Sequence, residues 1–131
     1  MKIKNKICIV GLGYVGLPLS TLYSSKYEVI GYDIDKKRIS DLQNYFDKTK
    51  EVDSVDLKKA LNSSLKLTSN LDEIIDCNIY IITVPTPIFE NKKPNLDHLI
   101  SATSKVAKVL KKGDTVIYES TVFPGCTEDI C

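Results

Sequence analysis

Little in this sequence is suited to binding a metal. It holds one histidine, His98, and four cysteines, Cys8, Cys77, Cys126 and Cys131, with no C-x-x-C pair among them. Zinc needs about four clustered ligands, so no metal site is expected. Cys8 falls in an apolar run and reads as a small hydrophobe, while His98, without a companion ligand or nucleophile, reads as a surface residue rather than a catalyst. Long apolar runs are also missing: none approaches the roughly 18 residues needed to span a bilayer. Met1-Lys2-Ile3-Lys4 passes into a strand pattern without a cleavage-site motif, so a cytoplasmic protein with no membrane partner is expected. Charge excess is absent as well, with 18 Lys and Arg against 17 Asp and Glu and a formal charge of +1. No global field favours nucleic acid, and a partner must be recognised locally. The 131 residues suit a single domain with a real core, and internal repeats are not evident.

What is present is organised around one stretch, Lys6-Ile7-Cys8-Ile9-Val10-Gly11-Leu12-Gly13-Tyr14-Val15-Gly16-Leu17-Pro18. It reads as a buried strand, a three-glycine turn and a helix start. G-x-G-x-x-G alone is a weak signal, but between an apolar run and a helix opening it is a device for holding a pyrophosphate. Gly11 permits the tight turn, Gly13 lets phosphate approach the backbone, and Gly16 lets the helix lie close to the strand. The first N–H groups of that helix lack intrahelical partners and are free to donate to phosphate oxygens. Pro18 fits the first turn, where its missing N–H is not needed. The plainer alternative is a glycine-rich turn that binds nothing.

Val15 to about Ser25 has approximate helical spacing and is predicted to be the first crossover helix. Glu28 to Asp33 reads as a second strand ending in an acid, and Asp33 lies 17 residues beyond Gly16. That is close to the roughly 20-residue interval at which a dinucleotide fold sets an acid against the adenosine ribose. A carboxylate there accepts from the ribose hydroxyls and repels a 2′-phosphate, which predicts NAD rather than NADP. Asp35 competes for this role but is better explained as the N-cap of the helix beginning Lys36-Lys37-Arg38. Arg38 has three readings: a contact to the adenine, which is preferred, a partner for a 2′-phosphate, or part of a solvated helix face.

Residues 47–64 read as a polar surface excursion without chemistry of its own, with a short helix around Val55 to Leu61. Leu65 to Thr68 is predicted to be a third strand, Asn70 to Ile75 a capped short helix, and Asn78 to Val84 a strand covered on both faces. Val84-Pro85-Thr86-Pro87 ends that strand, because prolines cannot donate to a ladder. Such a loop either simply terminates the strand or stands beside the cofactor, since ligands bind outside the carboxyl ends of parallel strands. After a polar loop from Ile88 to Asn95, Leu96, Leu99, Ile100, Thr103, Val106, Ala107 and Leu110 mark one face of a helix. Lys111 and Lys112 stand at its negative end, and Gly113 is its stop. Thr115 to Glu119 is a fifth strand that delivers Ser120 and Thr121 to the same rim as Gly11 and Pro85. These hydroxyls either bond a ribose, a carbonyl or a water, or cap a helix. The fold class is therefore α/β, a Rossmann-type doubly wound parallel sheet.

Gly11 to Pro18, Val84 to Pro87 and Glu119-Ser120-Thr121-Val122-Phe123-Pro124-Gly125-Cys126-Thr127-Glu128 together resemble the amino-terminal domain of the UDP-glucose/GDP-mannose dehydrogenase family. The Val-Pro-Thr-Pro-Ile and Glu-Ser-Thr-Val-aromatic-Pro-Gly forms are most similar to the branch oxidising UDP-N-acetylhexosamines for capsule or O-antigen synthesis. The resemblance implies oxidation of C6 of a UDP-sugar to the carboxylate with two NAD, through a thiohemiacetal on a cysteine. It implies that Gly11, Leu12, Gly13, Tyr14, Val15 and Gly16 form the pyrophosphate loop, and that Asp33 and Arg38 contact the adenosine side. By the same resemblance Val84, Pro85, Thr86, Pro87, Ser120, Thr121 and Val122 line the cofactor, and Thr121 helps to position a catalytic water.

The resemblance covers essentially all of the chain but only about the first third of such an enzyme. Residues 1–131 are accordingly expected to be an NAD-binding domain, inactive alone, whose sheet is incomplete at its carboxyl-terminal edge. The family's nucleophilic cysteine has no counterpart here, nor do its lysine, asparagine and acidic catalytic residues. Gly125 to Ile130 looks like the opening of a helix cut short, and Thr115 to Glu119 is expected to form an exposed, fairly apolar edge through which the isolated domain pairs. The full-length protein is expected to be a homo-oligomer. Two other readings stay open, a hydroxyacid- or phosphogluconate-type dehydrogenase and a nucleotide-sensing module. The Pro85–Pro87 and Ser120–Thr121 motifs argue against both.

Overall fold

The computed structural model describes residues 4–120 and 130–131. Five parallel strands form one sheet in the order β3-β2-β1-β4-β5, with β1 at Lys6–Val10, β2 at Glu28–Tyr32, β3 at Leu65–Thr68, β4 at Ile79–Ile82 and β5 at Thr115–Tyr118. Helix α1 spans Gly16–Tyr23, α2 Lys36–Gln43, α3 Ser54–Leu61 and α4 Asp97–Val109, with a 3-10 turn at Leu71–Ile74. The Rossmann-type order expected from the sequence is the one found.

Alternation along β1 explains why both faces are covered. Ile7 and Ile9 enter a core with Leu17 of α1, Ile39 and Leu42 of α2 and Leu57 of α3. Cys8 and Val10 point the other way, to Ile74, Tyr80 and the Leu99, Ala102, Val106 and Val109 face of α4. A strand buried on both sides must be apolar throughout, as β1 is. Register pairs Val10 with Tyr32 on one side and with Ile82 on the other, and Ile82 with Tyr118. The carboxyl ends of β2, β1, β4 and β5 are thus level, and the chain reverses its direction of winding between β1 and β4, where open α/β sheets place their ligands.

Side-chain caps start the shorter elements as local chemistry requires. Asp35 accepts from the N–H groups of Lys37 and Arg38, Asp53 from that of Asp56, and Asn70 from that of Asp72. Helix α4 differs from its sequence pattern: Ala102 and Val109 face the core, whereas Ile100 and Ala107 are exposed. The buried stripe runs at Leu99, Ala102, Val106 and Val109, narrower than the apolar positions suggest. Lys111 also departs from expectation. Its Nζ donates to the carbonyls of Ile75 and Cys77, joining the segment before β4 rather than the end of α4. Gly113, at φ +92°, sits in the turn into β5 instead of directly ending the helix.

Residues 88–95 are not a plain loop, because Ile88 bridges Pro94 in antiparallel fashion and Phe89 N–H donates to the Lys93 carbonyl at 2.8 Å. Strand β5 forms the edge, with Val116 and Tyr118 against the core and Thr115 exposed. Tyr118 reaches Thr103 of α4, hydroxyl to hydroxyl at 3.0 Å.

Candidate functional site

The turn after β1 is held by contacts from β2, from the end of β4 and from the helices on either side of it. Gly11 has φ +98°, a conformation that L side chains rarely adopt, and its N–H donates to the Tyr32 carbonyl at 2.8 Å. Its own carbonyl accepts the hydroxyl of Thr83, just beyond β4, at 2.6 Å. Gly16 presses on that same carbonyl: a Cβ there would stand 1.8 Å from Gly11 O and 2.4 Å from Thr83 Oγ1. The third glycine is thus required for helix α1 to lie against the strand ends, the packing role read for it from sequence. Gly13 is the opposite case, since a Cβ built on it meets no atom within 4 Å. Its open face is the approach to the backbone that a phosphate needs.

Leu12, between them, is gripped at both main-chain groups. Its N–H donates to Asp33 Oδ2 at 3.0 Å and its carbonyl accepts from Arg38 Nε at 2.8 Å. The other Asp33 oxygen, Oδ1, accepts from the Asp35 N–H at 2.9 Å. Each carboxylate oxygen can accept a further bond, so Asp33 is oriented by the backbone and still able to receive hydroxyl groups. Asp35 meanwhile caps α2, the role that the sequence suggested for it.

Arg38 is not part of a solvated helix face. Its side chain is only 7% exposed, and its Nη1 donates to Asp47 Oδ1 at 2.8 Å, whose side chain is 1% exposed. Asp47 in turn accepts from Thr49 N–H and hydroxyl and from the N–H groups of Glu51 and Val52. Burial alone would raise the Asp47 pKa, but the bonds from Thr49, Val52 and Arg38 outweigh it and hold the carboxyl at about 2. The excursion read as lacking chemistry therefore begins with the counter-ion of a cavity residue. The signal for it in the sequence is weak, an aspartate two residues before a threonine, as in an Asx turn.

Several of these groups line a cavity of about 360 Å³, within the range of small-molecule sites. Gly11, Leu12, Gly13, Asp33, Arg38, Val84 and Pro85 are on its wall. So are Lys48, Thr49, His98, Ser101 and Lys105, which sequence reasoning did not place there. His98, Ser101 and Lys105 follow one face of α4, and only the docking of that helix shows which face meets the cavity. Tyr14, Val15, Gly16, Thr86, Pro87 and Ser120 are not on this wall. Tyr14 and Val15 are exposed at the head of α1, and the Ser120 hydroxyl is committed to the Val84 carbonyl at 2.8 Å, tying the end of β5 to the proline loop. Thr121 and Val122 lie outside the described residues.

Cys8 and Cys77, remote in sequence, are both buried in the core beneath α4 as free thiols. Burial, and then Cys77 itself, push the Cys8 thiol well above its ordinary value, which removes it as a thiolate nucleophile. Among the described residues no group of three or more His, Cys, Asp and Glu side chains could hold a metal, and no helix is long and apolar enough to cross a membrane.

Comparison with known proteins gives a consistent picture. Residues 5–131 match the UDP-glucose/GDP-mannose dehydrogenase family, NAD binding domain. The chain is 52% identical over 126 residues to a UDP-N-acetyl-D-glucosamine 6-dehydrogenase of Pseudomonas aeruginosa and 51% identical over 126 residues to one of Salmonella typhi. In both cases 96% of this chain is covered but only 29% of the relative's length. Among solved structures, the UDP-D-ManNAc dehydrogenase of Pyrococcus horikoshii superposes with a TM-score of 0.88 at 37% identity, covering 94% of this chain and 30% of that one.

Proposed function

The chain belongs to the UDP-glucose/GDP-mannose dehydrogenase family as its NAD-binding domain, and from that premise we propose that the full-length protein oxidises C6 of a UDP-N-acetylhexosamine to the uronate. The observation that carries this reading furthest is the meeting of Gly13's open face and the oriented Asp33 carboxylate on one cavity wall. The cavity's donor set fits NAD. Gly13 leaves room for phosphate, Asp33 offers acceptors for ribose hydroxyls, and Arg38 keeps a buried Nη2 without a hydrogen-bond partner among the described residues.

In this reading Gly11 to Gly16 hold the pyrophosphate, with N–H groups of residues 13–16 donating to it ahead of the Leu17 N–H, which bonds the Gly13 carbonyl. Asp33 takes the adenosine ribose and Arg38 stands beside the adenine. Val84 to Pro87 and Ser120 to Val122 line the cofactor, as the family resemblance implies. NAD supplies the hydride acceptor. Thr121 helps to position the water that completes the second oxidation, and the cysteine nucleophile belongs to a part of the protein outside residues 1–131. The names of the relatives support an N-acetylated UDP-hexosamine, and the proposal places its oxidation in the cytoplasm, in the service of polysaccharide synthesis. The resemblance also supports a homo-oligomeric full-length enzyme.

The test is a turnover assay of the full-length protein with UDP-N-acetylglucosamine and UDP-N-acetylmannosamine. Two NADH and one uronate are expected per sugar consumed. Failure to reduce NAD with either sugar, or release of an aldehyde after one NADH, would overturn the proposal.

A further inference from the structure

Resting on the reading of this cavity as the NAD site, we propose that Asp47 is a positioning residue for cofactor binding, acting through Arg38 on the glycine turn and through its own loop on the adenosine end of the cavity. Asp47 receives five hydrogen bonds, and only the one from Arg38 Nη1 comes from outside the 47–52 segment. Four bonds fold the loop around the carboxylate. The fifth locks that loop to α2. From there Arg38 Nε reaches the Leu12 carbonyl, so a chain of contacts at 2.8 Å each runs from Asp47 to the turn that receives the pyrophosphate.

The cost of this arrangement identifies its purpose. Removing a carboxylate and a guanidinium from water is expensive, and buried ion pairs are often no more stabilising than apolar packing of the same volume. A pair used only for stability would also have no reason to leave a donor unmet, yet Arg38 Nη2 is buried without a partner among the described residues on a side chain that lines the cavity. Asp47 fixes the guanidinium plane and so fixes where Nη2 stands. It also presents Lys48 and Thr49 on the same wall, where the loop's backbone would otherwise be free to move away.

The test is made on the full-length protein with Asp47→Asn, Arg38→Lys and the double variant. Asp47→Asn is expected to raise KM for NAD by roughly tenfold or more, the scale of a lost charge-assisted bond, with kcat at saturating NAD unchanged. Binding of ADP-ribose, which lacks only the nicotinamide, should weaken by the same factor. Because the two residues act as one unit, the double variant should be little worse than the poorer single variant. NAD and ADP-ribose affinity within twofold of wild type in folded Asp47→Asn would overturn the proposal, as would full additivity. If that variant does not fold, Asp47→Glu keeps both charges and displaces the carboxylate from Arg38 and from the loop N–H groups. A few-fold rise in KM for NAD at unchanged kcat is then expected, and no rise overturns the idea. Failure of the wild-type protein to bind NAD would instead sink the assignment of the site itself.

Discussion

Asp33 and Leu12 are joined by a 3.0 Å hydrogen bond from the Leu12 N–H to Asp33 Oδ2. The acid at the end of β2, proposed above as the receiver for ribose, is thus also a support of the turn after β1. Its loss is expected to act on both ends of that relationship at once.

Asp33→Ala should therefore weaken NAD by at least the roughly 1.5–3 kcal/mol of a charge-assisted ribose bond. Discrimination against NADP should shrink, because the charge that repels a 2′-phosphate is gone. Titration calorimetry with both cofactors decides the point. Equal NAD affinity in the variant, or comparable NADP affinity in the wild type, is incompatible with the role given to Asp33.

Gly16→Ala places a methyl 1.8 Å from a backbone oxygen rather than from the end of a flexible side chain. No rotamer relieves that contact, so α1 must move off the strand ends. A destabilisation of about 3 kcal/mol or more is expected, read as a lowered midpoint in urea. A midpoint unchanged from wild type would mean that α1 does not pack as described.

Asp47 sets an acid limit on the fold. Its folded pKa is about 2, below the roughly 3.9 of an unfolded aspartate. The unfolded chain therefore takes up the proton first as pH falls. The stabilisation is complete above about pH 4 and is lost on descending to about pH 2, with a size on the order of 2 kcal/mol. Denaturant midpoints measured across that window should fall for the wild type and fall less for Asp47→Asn. Parallel curves would contradict the assignment.

Local chemistry made much of this fold legible. Strand β3 was expected at Leu65 to Thr68 and lies there, and Asp35 is the cap that its position before Lys36-Lys37-Arg38 suggested. The signals for both are contained within a few residues. What escaped are pairings set by the way the chain folds back on itself. Thr83 bonds Gly11 from 72 positions away, Asp47 meets Arg38 across nine, and Cys8 shares its core with Cys77. No spacing rule links such positions. The α4 contribution was hidden for a related reason, since an apolar stripe shows which side of a helix is buried but not what its flank overlooks. Hence His98, read as a surface residue, is exposed and yet borders the cavity.

The double grip on Leu12 has a kinetic meaning. Fixing a residue's backbone costs about 1–2 kcal/mol of conformational entropy, and here Asp33, Arg38, Thr83 and Gly16 impose it when the chain folds. A dinucleotide arriving at Gly13 then meets a surface already set, with little left to freeze. Encounter should be followed by docking without a slow rearrangement, in a single phase whose rate rises linearly with cofactor concentration.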